Sequence, residues 1–254
     1  MIISFIALTL FIVLVGVVLL GGRISRVLPA EQLSDDSREA VKLALGLVAT
    51  MTAILLGLLI SSAKGAFDTA RTEVMQMAAK VTLLDRVLRL YGPEAMDARR
   101  ALRDGIAEGV RRTWPADRSH PVRLDPNEQA GDAIYVAISH LAPHDEAQRA
   151  LKAQAATLMV QLAEFRALVQ AQAVSSVSKP LLIALVIWLV VIFFGFSLLA
   201  PANTVSTLAL VAGAFSVSCA VMIILELDYP FAGIIRIPGD PMINALAHLA
   251  KDTT

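Results

Sequence analysis

The amino-acid sequence predicts an all-α membrane protein with four transmembrane helices as two hairpins and an antiparallel helical bundle inserted between helices 2 and 3. The first observation is a set of long apolar runs on either side of a polar middle: Ile2–Gly22, Val41–Ser62, Leu181–Ala200 and Thr204–Leu225. Each run is about 20 residues long, the length that a helix needs to cross a roughly 30 Å hydrocarbon core. None carries a charged residue in its interior, where insertion into a bilayer would be costly.

A heptad pattern is the second observation, and it carries the second helix beyond the membrane. Apolar residues follow each other there at alternating steps of three and four: Phe67, Ala70, Val74, Met77, Val81, Leu84, Leu88 and Tyr91. This spacing favours knobs-into-holes packing against another helix. The helix should end at Tyr91, because Gly92 fits the position after a helix and Pro93 cannot continue one.

The remaining elements of the insert are also helical. Pro93 opens a helix to about Thr113, and Trp114–Pro126 is a loop with three prolines and no period. A helix near Glu128–Leu141 follows, and Pro143 opens the next one. This last helix carries a second seam, which we expect to face the first: Leu151, Ala155, Leu158, Leu162, Phe165 and Val169.

These elements divide the chain into consecutive parts. We expect a first transmembrane hairpin, an extramembrane helical domain, a second hairpin and an interfacial C-terminal segment: residues 1–64, 65–179, 180–226 and 227–254. The first apolar run should be retained as a helix, because no basic residue precedes it as in a signal peptide. The turn 201–203 is short, so the last two spans form a tight hairpin in which Asn203 caps the second helix.

Composition narrows the possible functions. The 254 residues carry 22 basic and 22 acidic side chains, so the chain has no net positive charge that would attract nucleic acid. The single cysteine, Cys219, excludes a disulfide within the chain. Because no phosphate-binding loop or catalytic motif is present, we expect no catalytic residues, no cofactor and no metal, and not an enzyme. We interpret the arginines of the insert as a solvated face beside anionic headgroups: Arg99, Arg100, Arg103, Arg111 and Arg112.

The positive-inside rule, which relates membrane orientation to the position of basic residues, gives conflicting answers for this chain. Arg23 and Arg26 follow the first span and favour an insert on the outside. Basic residues near the ends of the insert favour the opposite orientation: Lys64, Arg71, Lys80, Arg166 and Lys179. We expect a multi-pass protein of the inner (plasma) membrane with a cytoplasmic insert.

A stripe of small and polar residues follows one face of the second span: Gly46, Thr50, Ala53, Gly57 and Ser61. The same spacing continues to a charged group that could form a vestibule or gate: Lys64, Asp68 and Arg71. One interpretation is a pore-lining face that leads ions to the charged group. The other is a packing seam, because small residues let membrane helices approach each other closely.

The end of the fourth span carries Glu226 and Asp228 next to apolar surroundings, which is unfavourable unless each reaches water, a cation or a basic partner. These acids could form a cation site, a gate or an ion pair, or could lie in the headgroup layer. Pro230 then stops the helix, and Gly233 permits a turn beside Phe231. We expect this apolar segment to lie at the membrane interface or against the insert.

The segment from Leu225 to Gly233, with its Leu-Asp-Tyr-Pro-Phe-Ala-Gly element, resembles the signature of a bacterial bestrophin-like family of unknown function. The stretch Leu56–Ala63, followed by Phe67 and Arg71, is similar to a second block of that family. The resemblance covers nearly the whole chain. It implies a distant relation to bestrophins, which are pentameric anion channels with a helical cytoplasmic domain between the second and third spans. The chain lacks the acidic calcium clasp of animal bestrophins and a phenylalanine-rich neck, so calcium gating is not implied.

We therefore expect an oligomeric, bestrophin-like ion channel or pore in the lipid bilayer. Its partners would be further copies of the chain, with five as the number that the resemblance suggests, and small inorganic ions. The alternative is a non-conducting membrane scaffold or sensor whose helical insert binds a partner protein. An integral-membrane enzyme is a third possibility, against which the absence of a catalytic constellation argues.

Overall fold

The computed structural model describes residues 2–27, 35–115, 128–172, 178–201, 203–231 and 233–251. These ranges contain α-helices, one short 3₁₀ turn and no strand: α1 (Ile2–Val27), α2 (Asp35–Tyr91), α3 (Met96–Thr113), α4 (Glu128–Ser139), α5 (Glu146–Gln172), α6 (Lys179–Leu199), α7 (Thr204–Leu227) and α8 (Asp240–Lys251). The chain forms two compact units. The membrane unit is Met1–Ala66 with Ser175–Tyr229, and the insert unit is Phe67–Val174 with Pro230–Thr254.

The membrane unit is built around α1, which packs against both α6 and α7. Glycines permit the closest contacts. A Cβ atom added at Gly21 would lie 2.9 Å from the Cβ of Ser197, and one added at Gly195 would lie 2.6 Å from the side chain of Leu45. Real Cβ atoms do not approach other atoms this closely, so these glycines are small residues at helix contacts, as is usual in membranes. The α1, α2, α6 and α7 helices are each long and apolar enough to span a bilayer.

The structure has α6 and α7 close to their predicted starts, whereas α1 continues to Val27, beyond the predicted end of its apolar run at Gly22. The α6 helix begins at Lys179, with Pro180 in its first turn, where the missing N–H costs nothing. Asn203 precedes α7, and its side-chain oxygen accepts a hydrogen bond from the Ser206 N–H at 2.8 Å. This cap satisfies one of the N–H groups that a helix start leaves without an intrahelical partner.

The insert unit contains the facing seams that the heptad pattern predicts. Of the seam residues on α2 only Met77 is partly exposed, while Val81 and Leu84 are each 0% exposed. Lys80 Nζ donates to Gln161 Oε1 at 2.6 Å, and Gln148 Nε2 donates to the Tyr91 carbonyl at 3.0 Å. The later residue of α2, Tyr91, thus pairs with the earlier residue of α5, Gln148. The two helices therefore run antiparallel.

The predicted end of α2 at Tyr91 is confirmed. Gly92 has a φ of 124°, a conformation that residues with a Cβ rarely adopt, and Pro93–Ala95 then form a single 3₁₀ turn before α3. The helix expected from Pro93 therefore has its first three residues in 3₁₀ geometry. Nearly all of the predicted loop before Pro126 lies outside the described residues.

The prediction that α5 begins at Pro143 is wrong. The helix begins at Glu146, because Asp145 acts as its cap and accepts a hydrogen bond from the Gln148 N–H at 2.7 Å. Gln148 Oε1 in turn accepts from the His144 N–H at 2.8 Å. This reciprocal arrangement resembles a capping box and satisfies donors at the helix start.

Candidate functional site

The stripe of small residues on α2 lies on an exposed face of the chain. Gly46, Thr50, Ala53, Gly57 and Ser61 are all exposed. At about 100° per residue they fall within an arc of about 80° on the helix. Buried residues occupy a different side of the same helix: Leu45, Thr52, Leu55, Leu59 and Ala63. The stripe is therefore turned away from the part of α2 that packs within the chain.

The glycines of this stripe are not required by packing within the chain. A Cβ atom at Gly46 or Gly57 would meet no other atom within 4 Å. Gly21 and Gly195 differ in this respect, because a Cβ there would collide with a neighbouring helix. Thr50 is the hydroxyl residue in the middle of the stripe, and its Oγ1 donates to the Gly46 carbonyl at 2.9 Å. Its hydroxyl oxygen keeps acceptor capacity on the exposed face.

The charged residues that follow the stripe are exposed on α2. Lys64 is exposed in the last turn of the membrane unit. Asp68 and Arg71 are exposed in the first turns of the insert unit. The α2 helix is continuous through all three positions. Two cationic side chains and one carboxylate therefore occupy this part of α2.

Glu226 and Asp228 are buried at the end of α7, with 2% and 4% of their surface exposed. Asp228 is the last residue with helical geometry, and its N–H donates to the Ile224 carbonyl at 3.1 Å. Both carboxylates are therefore shielded from solvent by other parts of the chain.

Residues after Pro230 belong to the insert unit and pack against α3. Phe231 is buried and contacts the ring of Trp114 edge-on, with ring centroids 6.2 Å apart. Trp114 Nε1 donates to the Ile237 carbonyl at 2.9 Å. Gly239 lies so close that an added Cβ would be 2.8 Å from the Trp114 ring. The sequence leaves two positions open for this apolar segment, at the membrane interface or against the insert. In the structure it packs against the insert.

Gly233 follows this arrangement with a φ of 90°, as expected for a residue that permits a turn. No sequence pattern indicates that Trp114 contacts this segment. Trp114 precedes a loop, and its hydrogen-bond partner is 123 residues away.

The interpretation of the five arginines as a solvated face is partly wrong, because Arg99 is buried. Its guanidinium forms two hydrogen bonds to the Asp85 carboxylate, at 2.8 Å and 3.3 Å. The Arg99 and Asp85 side chains are only 6% and 9% exposed. The other paired arginines of the patch lie on the surface beside acids of their own helix: Arg100 with Asp97, Arg103 with Asp104 and Arg111 with Glu108.

Two further groups of the insert unit have shifted pKa values. Burial raises the pKa of the Tyr91 hydroxyl, and the nearby carboxylates of Glu94 and Asp145 raise it further. This hydroxyl is buried without a hydrogen-bond partner among the described residues. Burial lowers the pKa of Arg166, and the positive charge of Arg112 lowers it further.

Within the described ranges, His, Cys, Asp and Glu side chains form no group of three that could hold a metal ion. The arrangement is instead that of a multi-span helical membrane protein with an exposed polar stripe and a helical insert. A family model for the bestrophin-like domain matches residues 12–242. The chain belongs to the bestrophin-like family.

Solved structures of bacterial bestrophin homologues from Klebsiella pneumoniae have the same fold. One point mutant superposes with a TM-score of 0.71 at 15% identity, covering 97% of this chain and 98% of that one. Another gives 0.69 at 16% identity, covering 99% and 97%. The structure phased with zinc gives 0.67 at 17% identity, covering 93% and 97%. A search of curated proteins found no match.

Proposed function

We propose that this chain forms an oligomeric ion-conducting pore in which the stripe on α2 faces the lumen. The observation that supports this proposal is the open space around Gly46 and Gly57, where an added Cβ would meet no atom of the chain. Packing within one chain does not explain why these residues are small. A pore lining does, because small and hydroxyl side chains leave room for ions and offer oxygen atoms to them.

A lumen of this kind needs several copies, since a single helix encloses no space. The exposed stripe would face the symmetry axis while the buried side of α2 packs within its own chain. We propose a homo-oligomer, with five copies as the number that the family resemblance suggests. Closed cyclic symmetry is common among such assemblies.

The residues at the end of the stripe would form the vestibule. Lys64 and Arg71 bring two positive charges and Asp68 brings one negative charge per copy. In a ring of copies this net positive charge would favour small inorganic anions over cations. We expect chloride to permeate more readily than potassium, and we expect no enzymatic activity.

The C-terminal motif would have a structural role in this assembly. Buried Glu226 and Asp228 end α7, while Pro230, Phe231 and Gly233 lead the chain onto the insert. We propose that the protein lies in the inner membrane with a cytoplasmic insert. The basic residues at the membrane ends of the insert support this orientation.

The proposal can be tested by chloride flux from liposomes that contain the purified protein. Gly57→Cys, placed in a Cys219→Ser background, should conduct until a positively charged methanethiosulfonate reagent modifies it, and most of the flux should then be lost. Gly16→Cys is the matched control. Gly16 is an exposed glycine of another membrane helix, and a Cβ there would also meet no atom within 4 Å. Modification of the control should leave the flux unchanged.

The outcomes separate the two functions that the sequence leaves open. Flux that is equally sensitive at both positions, or insensitive at Gly57, would contradict a lumen along the stripe. If neither chloride nor potassium moves over a range of pH values, the scaffold or sensor alternative is favoured. The mass of the detergent-solubilised particle, measured by light scattering, gives the number of copies.

A further inference from the structure

A cavity of about 200 Å³ lies within the membrane unit, at the end where α1 and α6 stop and α7 begins. Its polar lining consists of Arg23 and Arg26 of α1, Ser197 of α6, and Ser206 and Thr207 of α7. None of the described residues that line the cavity is acidic. The cavity is therefore a positively charged site at one membrane boundary, separate from the stripe on α2.

The two arginines favour an anion between them. They are three residues apart, so they project from one side of α1, and like charges at this spacing repel each other. Both side chains are exposed rather than buried in protein. The first turn of α7 adds the partial positive charge of a helix N-terminus. Guanidinium groups bind phosphate oxygens well because their planar donors can form two parallel hydrogen bonds.

The apolar part of the lining indicates which anion fits. Val18 and Leu19 line the cavity on the membrane side of the arginines, and Leu210 does so on α7. From Val18 to Arg26 the lining changes from apolar to cationic over roughly 12 Å, at about 1.5 Å per residue. A phospholipid has the same order of groups, with acyl chains below a phosphate. A free phosphate would use only the polar end.

We propose that this cavity binds an anionic phospholipid, with Arg23 and Arg26 contacting its phosphate and the acyl chains lying along Leu19 and Leu210. The planar donors of the two guanidinium groups suit the phosphate oxygens of a phospholipid headgroup. Lipid binding at this site does not depend on ion conduction, so this proposal and the proposal of a pore can be tested independently. The chain would recognise the phosphate and its negative headgroup, and a zwitterionic headgroup would bind less well.

The test measures lipid binding to the full-length protein in neutral detergent by native mass spectrometry. Phosphatidylglycerol should bind at a saturable site, whereas phosphatidylcholine should bind weakly and inorganic phosphate should not displace the anionic lipid. In the double variant Arg23→Gln/Arg26→Gln the apparent affinity for phosphatidylglycerol should fall about 30-fold. That loss corresponds to about 2 kcal/mol.

Lys42→Gln is the matched control, because Lys42 is an exposed cation near the start of α2 that does not line the cavity. Its affinity should equal that of the unmodified protein. Gly22→Leu tests the site without removing charge. A Cβ at Gly22 would have only the Ser197 Oγ nearby, at 3.7 Å, so the larger side chain can extend into the cavity. This variant should elute normally from a sizing column and should bind the lipid more weakly.

The proposal is overturned if the double arginine variant elutes normally and binds phosphatidylglycerol as tightly as the unmodified protein. Equal loss in Lys42→Gln would also overturn it, since the attraction would then be a general effect of surface charge. Equal binding of phosphatidylcholine would exclude recognition of an anionic headgroup. Saturation by inorganic phosphate at the expense of the lipid would make the site one for a free anion.

Discussion

The buried pair of Asp85 and Arg99 gives the sharpest prediction about stability. Replacing Arg99 with Met keeps much of the side-chain volume but removes the charge that neutralises the Asp85 carboxylate. Because both side chains are less than 10% exposed, as their values of 6% and 9% show, water cannot replace the lost partner. Breaking a buried pair in this way costs about 3–5 kcal/mol.

The free-energy change can be measured as a shift in thermal unfolding. Trp114 lies in the insert unit and the other tryptophan, Trp188, lies in the membrane unit, so fluorescence in a Trp188→Phe background follows unfolding of the insert unit in detergent. For a chain of this size each kcal/mol lowers the midpoint by about 2–4 °C, so Arg99→Met should lower it by roughly 6–20 °C. Arg100→Met is the matched control. Arg100 pairs with Asp97 at the surface, with 62% and 89% of the side chains exposed, and such pairs contribute only about 0–1 kcal/mol.

A double variant separates the cost of an isolated charge from the contribution of the pair itself. Asp85→Leu combined with Arg99→Met leaves no buried charge at this position. Replacing both members of a buried pair with apolar residues is often neutral or stabilising. Most of the lost stability should therefore return. The reasoning is refuted if Arg99→Met unfolds within a few degrees of the unmodified protein, or if the double variant is less stable than either single variant.

Three further predictions concern other parts of the chain. Tyr91→Phe should be neutral or stabilising by about 1 kcal/mol, because it removes a buried hydroxyl that has no partner among the described residues. The raised pKa of Tyr91 contributes stability that is present below its ordinary value of 10.0 and is lost as pH rises further. A plot of stability against pH should therefore fall less steeply above pH 10.0 in Tyr91→Phe. At the end of α7, Asp228→Asn should reduce thermal stability or assembly more than Glu226→Gln, and equal midpoints for the two variants would contradict this. For the topology, Ser139→Cys in a Cys219→Ser background should resist a membrane-impermeant thiol reagent in spheroplasts but react after lysis, and ready labelling before lysis would place the insert outside.

Much of the insert could be predicted because burial there follows a period along one helix. The positions of Val81 and Leu84 in the heptad seam required them to be buried, whatever helix covers them. The end of α2 could be predicted equally well, because Gly92 and Pro93 determine it through local backbone geometry.

Contacts between distant segments could not be predicted in the same way. An arginine in a charged helix is normally solvated, whereas Arg99 is buried with its guanidinium hydrogen-bonded to Asp85 on another helix. The start of α5 was misplaced because a proline and a nearby aspartate can each begin a helix, and side-chain hydrogen bonding decided in favour of Asp145. The sequence alone also could not separate the glycines at helix contacts, such as Gly195, from those in open space, such as Gly57.

The length of α2 determines how the protein can respond to its lipid surroundings. This helix has 57 residues without a proline, so at about 1.5 Å per residue it is about 86 Å long and has no end at the membrane boundary next to Lys64. Its depth in the bilayer on that side is therefore limited by the solvation of charged side chains rather than by backbone geometry. A thicker bilayer would cover Lys64 and then Asp68, at a free-energy cost that rises with each added turn. The charged positions next to the stripe thus make the hydration of this helix depend on membrane thickness.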